Sequence, residues 1–104
     1  MSGAIFETWV VGEVLKSWWH HGLQAPLFYY RDKDQKEIDL LIRHDGTLYP
    51  VEIKKSAAPG TGAARHFGLL EKLGLPVGHG AVVCLIPASL PLSRNTTAIP
   101  VSLL

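Results

Sequence analysis

The sequence predicts an α/β domain in which a mixed central sheet is flanked by helices, with elements in the order α-β-β-β-α-β. Three observations lead there. A proline-free stretch near the start gives way to three β-rich runs, and the second and third of these flank an Asp-Gly dipeptide. A helical repeat then separates them from one continuous apolar run of strand length. Alternation of helical and strand patterns in this order is the signature of an α/β architecture.

The first element spans residues 4–21, which carry no proline and end at Gly22, so a helix of about five turns is expected, with Ser2 available as a cap. LFYYR (27–31) follows Pro26 and is aromatic-rich, which favours a strand. EIDLLIR (37–43) and LYPVEIKK (48–55) are the next two strands, and His44, Asp45, Gly46 and Thr47 connect them as a hairpin. The small residues of AAPGTGAA form a loop leading to RHFGLLEKLGL (65–75), where Phe67, Leu70 and Leu73 recur at helical spacing. AVVCLI (81–86) is apolar throughout, as expected of a parallel strand covered on both faces. IPVSLL is expected to add a last edge strand, because Pro100 suits only an edge or a bulge.

Composition bounds the rest. With 104 residues, 47% hydrophobic and 18% charged, the chain can build one compact core, so residues 1–104 are read as a single domain. A formal net charge of +1 gives no global pull toward a polyanion, so any nucleic-acid contact must be local. The one cysteine, Cys84, excludes an internal disulfide and a cysteine-only zinc site, and its apolar setting reads as a buried free thiol. No apolar run reaches the roughly 18 residues of a membrane span, and the first residues lack the order of a signal peptide. A soluble, cytoplasmic protein without a membrane partner is expected.

The hairpin concentrates the chemistry. If Asp45 and Gly46 form a two-residue loop, His44 pairs with Thr47, and the register carried down the strands sets Asp39 opposite Glu52 and Glu37 opposite Lys54. All four side chains then share one face, while Ile38, Leu40, Val51 and Ile53 take the other. Two like charges directly opposed are destabilising, so something must offset them. Two carboxylates on rigid strands suit a hard divalent cation such as Mg²⁺ or Mn²⁺, and a lysine one strand step from Glu52 can hold a phosphate. The plainer reading is a set of sheet-face ion pairs contributing a few tenths of a kcal/mol. A three-residue loop would separate the two carboxylates.

On the first helix, Val10, Val11, Val14 and Trp18 form an apolar arc with Glu7 in its middle, and Glu13, Lys16 and His20 lie on the polar side. A carboxylate aimed into an apolar face is costly to bury without a partner, which points to a metal shared with Asp39 and Glu52, to Lys54 or Lys55, or to a roll of the helix that lets the carboxylate snorkel to water.

The run FYYRDKDQKEIDLLIRHDGTLYPVEIKKS, preceded by GAIFETWVVGEVLK, resembles a domain of unknown function that follows the AAA-type P-loop module in a widespread set of prokaryotic ATPases. That domain is assigned to the PD-(D/E)XK nuclease-like superfamily, with its restriction-endonuclease-like fold. The resemblance runs through AVVCLIP to the IPVSLL ending. It implies that Glu7, Asp39, Glu52 and Lys54 are the catalytic set, with Mg²⁺ or Mn²⁺ held by Asp39, Glu52 and Glu7. Arg31, Lys55 and Ser56 would line the same cleft. The implied activity is metal-dependent phosphodiester hydrolysis of DNA; the superfamily also holds inactive scaffolds, so the alternative is an interaction or nucleic-acid-binding module. The chain would be the C-terminal piece of a larger ATPase. PGTGAAR (59–65) lacks the Gly-Lys-Ser/Thr ending of a Walker motif, so no nucleotide site is expected in this chain.

Among weaker signals, Arg65 and His66 follow the Glu-x-Lys strand closely enough to reach a phosphate, and Arg65 joins Arg31 and Lys55 as a candidate nucleic-acid contact. His44, His66 and His79 show no metal spacing and read as turn or surface residues. Trp18, Trp19, His20 and His21 suggest a core or homodimer contact, or a stacking platform for single-stranded nucleic acid.

Overall fold

The computed structural model describes residues 3, 5–6, 9–13, 27–34 and 36–103. The chain is α/β, built on one six-stranded mixed sheet: β1 (Leu27–Arg31), β2 (Glu37–His44), β3 (Thr47–Ile53), β4 (Gly80–Cys84), β5 (Leu90–Ser93) and β6 (Thr96–Pro100). Their spatial order is β1-β2-β3-β4-β6-β5, with β3, β4 and β6 parallel and the remaining pairs antiparallel.

The β2–β3 hairpin turns where the sequence places it. His44 pairs with Thr47, and Asp45 and Gly46 take φ of 51° and 77°. Two positive φ values are what a type I′ turn requires, and Gly46 adopts its value without a Cβ penalty. Pro50 is tolerated inside β3 because it falls between the Leu48–Val77 bridge and the start of the β3–β4 ladder at Val51.

Each sheet face carries its own core. Phe6 and Val10 of the N-terminal helix pack on Leu40, Val51, Ile53 and Val83. On the other face, Ile38 and Leu41 meet Phe67 and Leu70. Phe67–Leu73 is a 3₁₀ helix, not the α-helix expected, and a further 3₁₀ turn, Thr61–Ala64, occupies what read as plain loop. The triplet spacing of Phe67, Leu70 and Leu73 suits three residues per turn, and Gly74 in the left-handed conformation closes the segment. Only Phe67 and Leu70 are buried; Leu73 is exposed. Gly80 lets this segment sit close to the sheet, since a Cβ there would lie 2.6 Å from the Phe67 ring.

Two further corrections concern the strands. The expected alternation put Ile38 with Leu40, yet it packs with Leu41 across the sheet. The reason is a β-bulge: Phe28 pairs with Leu41 and Tyr30 with Ile38, so Asp39 and Leu40 together oppose the single residue 29. The extra residue flips the faces below it. At the C-terminal end, β6 is not an edge strand, because β5 covers it as far as Ala98. Pro100 lies beyond that point, where β6 has lost its β5 neighbour, and this explains its tolerance. β4 behaves as expected, buried between two parallel neighbours, with Cys84 a buried free thiol.

Candidate functional site

The β2–β3 ladder ends at the Leu40–Val51 pair, one step before Asp39 and Glu52. Below that pair β2 keeps its bonds to β1, while β3 continues beside β4 through Glu52 and Ile53. A regular antiparallel ladder would have Ile53 N–H donate to the Ile38 carbonyl. Instead, Ile53 N–H donates to Asp39 Oδ2 at 2.8 Å. The carboxylate stands in for the lost main-chain bond.

Where the strands part lies a cleft of about 260 Å³ lined by Glu37, Asp39, Glu52, Lys54, Ala63, Arg65 and His66. Three predicted residues, Asp39, Glu52 and Lys54, therefore meet at one place, and Arg65 joins them. Glu52 is buried at 8% exposure, one of two buried polar or charged residues among those described. Lys54 follows the last residue of β3, where its N–H donates to the Val83 carbonyl at 2.9 Å and holds the chain in line with β4. Its side chain is exposed.

Other expected contributors go elsewhere. Arg31 Nε donates to Glu37 Oε1 at 2.8 Å across the β1–β2 pair, so the cross-strand partner of Glu37 is Arg31 and not Lys54. Arg31 does not line the cleft, and neither do Lys55 and Ser56. Ser56 organises the loop after β3: Oγ accepts from Ala58 N–H and its carbonyl from Leu85 N–H. Glu7, Val14, Lys16, Trp18, Trp19, His20 and His21 lie outside the described residues. Among the described residues no three His, Cys, Asp or Glu side chains gather to hold a metal ion; Asp39 and Glu52 are hard oxygen donors that line the cleft. That donor chemistry suits Mg²⁺ or Mn²⁺, which often take one or two carboxylates and complete their shell with water.

The 3₁₀ turns bring in the cleft's third wall. The Arg65 guanidinium donates from Nη1 to the Gly62 carbonyl at 3.3 Å. The half-buried His66 ring bonds from Nδ1 to the Glu37 carbonyl at 3.0 Å, tying the 3₁₀ segment to β2. A surface reading of His66 missed this because the contact is made across 29 residues of chain. The only local signal was its place immediately before the buried Phe67. A second cleft of about 310 Å³ lies between the 3₁₀ helix and the starts of β4 and β6; it has one carboxylate, Glu71, and neither lysine nor arginine. The lysine and arginine side chains line the smaller one.

No helix among the described residues is long and apolar enough to cross a membrane. Comparison with curated proteins and with solved structures returns no match. A model of one family, described as a domain of unknown function, does match, and it covers residues 2–104; the chain belongs to this family, DUF4143.

Proposed function

We propose that this domain is a divalent-cation-dependent phosphodiesterase acting on DNA, of the PD-(D/E)XK type, working as the nuclease-like module of an AAA-type ATPase. One observation carries the reading: Asp39, Glu52 and Lys54, from two strands that have just separated, line a single cleft with Arg65 on its wall. In it Asp39 Oδ1 and the Glu52 carboxylate would hold Mg²⁺ or Mn²⁺, with Glu7, outside the described residues, as a third ligand. When bound, such a cation lowers the pKa of a coordinated water and offsets charge growing on a phosphate. Lys54 supplies a point cation to the phosphate, and Arg65, exposed and near it, supplies a backbone contact. The net charge of +1 agrees with binding confined to this patch.

The test is cleavage of single- and double-stranded DNA, and of RNA, in Mg²⁺ and in Mn²⁺. The expected result is divalent-dependent cleavage abolished by Lys54→Ala and by Glu52→Gln, both folded. Absence of cleavage on every substrate would refute it.

A second reading has its own support. Asp39 already performs a structural task at Ile53, and Arg31 and Glu37 form a satisfied pair, as a charge network in a non-catalytic interaction module would require. Metal titration separates the two readings, because a structural network gains no stability from Mn²⁺.

A further inference from the structure

We infer that His66 is a further functional residue of this cleft, presenting Nε2 as a hydrogen-bond acceptor to the water that attacks a phosphodiester lying against Lys54: the water oxygen bonds to phosphorus as a P–O ester bond breaks, the water's proton passes to Nε2, and the departing oxygen takes a proton from solvent. This rests on the phosphodiesterase reading and adds a residue to it.

The His66 ring is hydrogen-bonded to main chain. Nδ1 lies 3.0 Å from the Glu37 carbonyl oxygen. A carbonyl only accepts, so Nδ1 carries the proton, and in the neutral ring Nε2 keeps the lone pair. The bond also fixes the ring plane against β2. Lys54 and Arg65 are exposed, whereas His66 is half-buried and tethered to main chain, so it loses less freedom on engaging a ligand. With Asp39, which is bonded to Ile53 N–H, it is one of the cleft's preorganised polar groups.

The chemistry of Nε2 then narrows its partner. An acceptor does not bind a phosphate oxygen, which also only accepts; it takes a hydrogen from water or from a hydroxyl. His66 lines the same cleft as Asp39 and Glu52, a position from which an acceptor orients a water held on the two carboxylates' side. Lys54 and Arg65 account for phosphate charge, Asp39 and Glu52 for the cation, and the remaining need of a hydrolytic site is an acceptor that aims the nucleophile.

Two measurements test this. Long-range ¹H–¹⁵N spectra of the imidazole should show the Nδ1–H tautomer for His66; the Nε2–H tautomer would overturn the proposal whatever the activity. In cleavage assays His66→Asn keeps a donor near the Nδ1 position but has nothing at Nε2, and should lower kcat about tenfold or more with KM within about twofold. His66→Gln, whose longer amide can set an oxygen near the Nε2 position, should recover part of that loss. A His66→Asn variant with wild-type kcat overturns the role of His66 and leaves the phosphodiesterase reading standing. Equal losses in both variants with matching falls in Tm would assign the ring a purely structural task and overturn it too. A wild-type protein that cleaves no nucleic acid removes the phosphodiesterase reading and this role together.

Discussion

Replacing Asp39 by asparagine and by alanine should separate its structural task from its chemistry. In the wild type, Asp39 Oδ2 accepts from Ile53 N–H at 2.8 Å in a partly buried setting, beyond the last β2–β3 pair. Alanine leaves that N–H with no acceptor; an unsatisfied buried donor costs roughly 1–3 kcal/mol. Removing a charge beside Glu52 relieves cross-strand repulsion of a few tenths to about 1 kcal/mol, which partly offsets the loss. The net expectation for Asp39→Ala is a destabilisation of about 1–2 kcal/mol, or a Tm lower by roughly 4–16 °C for a domain of this size. Asparagine keeps an amide oxygen for Ile53 N–H and sheds the charge, so without divalent cations Asp39→Asn should lie within about 0.5 kcal/mol of wild type. Cation binding reverses the comparison. At a Mn²⁺ concentration about 100 times Kd, linkage predicts about 2.7 kcal/mol of added stability for the wild type and none for either variant. Urea unfolding in EDTA and in Mn²⁺ measures all six values. If Asp39→Asn is as unstable in EDTA as Asp39→Ala, the hydrogen-bond argument is wrong. If Asp39→Asn keeps the Mn²⁺ response, the cation argument is wrong.

Two other perturbations test the scaffold. Gly46→Ala places a Cβ on a residue with φ of 77° and should cost about 1 kcal/mol by urea unfolding, from left-handed strain, because nothing crowds the position; an unchanged midpoint would refute the turn assignment. Burial pushes the Cys84 thiol above its ordinary value of 9.0, with a hydrogen bond from the Ile86 backbone pulling weakly the other way. The folded state therefore favours the neutral thiol: its contribution is complete below pH 9.0 and is lost as pH rises toward the raised folded value, where the unfolded chain ionises first. Tm measured from about pH 8 to about pH 10.5 should fall more steeply for wild type than for Cys84→Val, and parallel curves would contradict it.

The parts of this site that were legible in the sequence are those set by local chemistry. Asp45-Gly46 dictates a two-residue turn, the turn dictates the register, and the register brings Asp39 and Glu52 to neighbouring positions. The apolar run around Val82 announces a doubly covered strand for the same reason. What escaped depends on contacts far apart in the chain. Nothing in EIDLLIR marks a bulge at Asp39 and Leu40, because a bulge is a relation to β1 and not a property of β2. The period of Phe67 and Leu70 is compatible with α and 3₁₀ geometry alike, and tertiary packing against Ile38 and Leu41 decides between them. Likewise the hairpin register pairs Glu37 with Lys54 only if β2 and β3 stay together, and where they part Glu37 bonds to Arg31.

The bulge and the parting of the strands serve one end. A continuous β2–β3 ladder would still set Asp39 and Glu52 on a sheet face, but with no gap between the two strands. By inserting a residue at Asp39 and Leu40, β2 stays bonded to β1 while releasing β3, and a cleft opens where the two carboxylates already lie. Main-chain bonds are the cost of such an opening, and side chains make up part of it. Asp39 replaces the acceptor for Ile53 N–H, and His66 donates to the Glu37 carbonyl. The residues that repair the broken sheet are thus the residues that line the cleft. Substitutions there will change stability and function together, so activity losses must be read against paired variants that keep the hydrogen bond and remove only the charge or the free nitrogen.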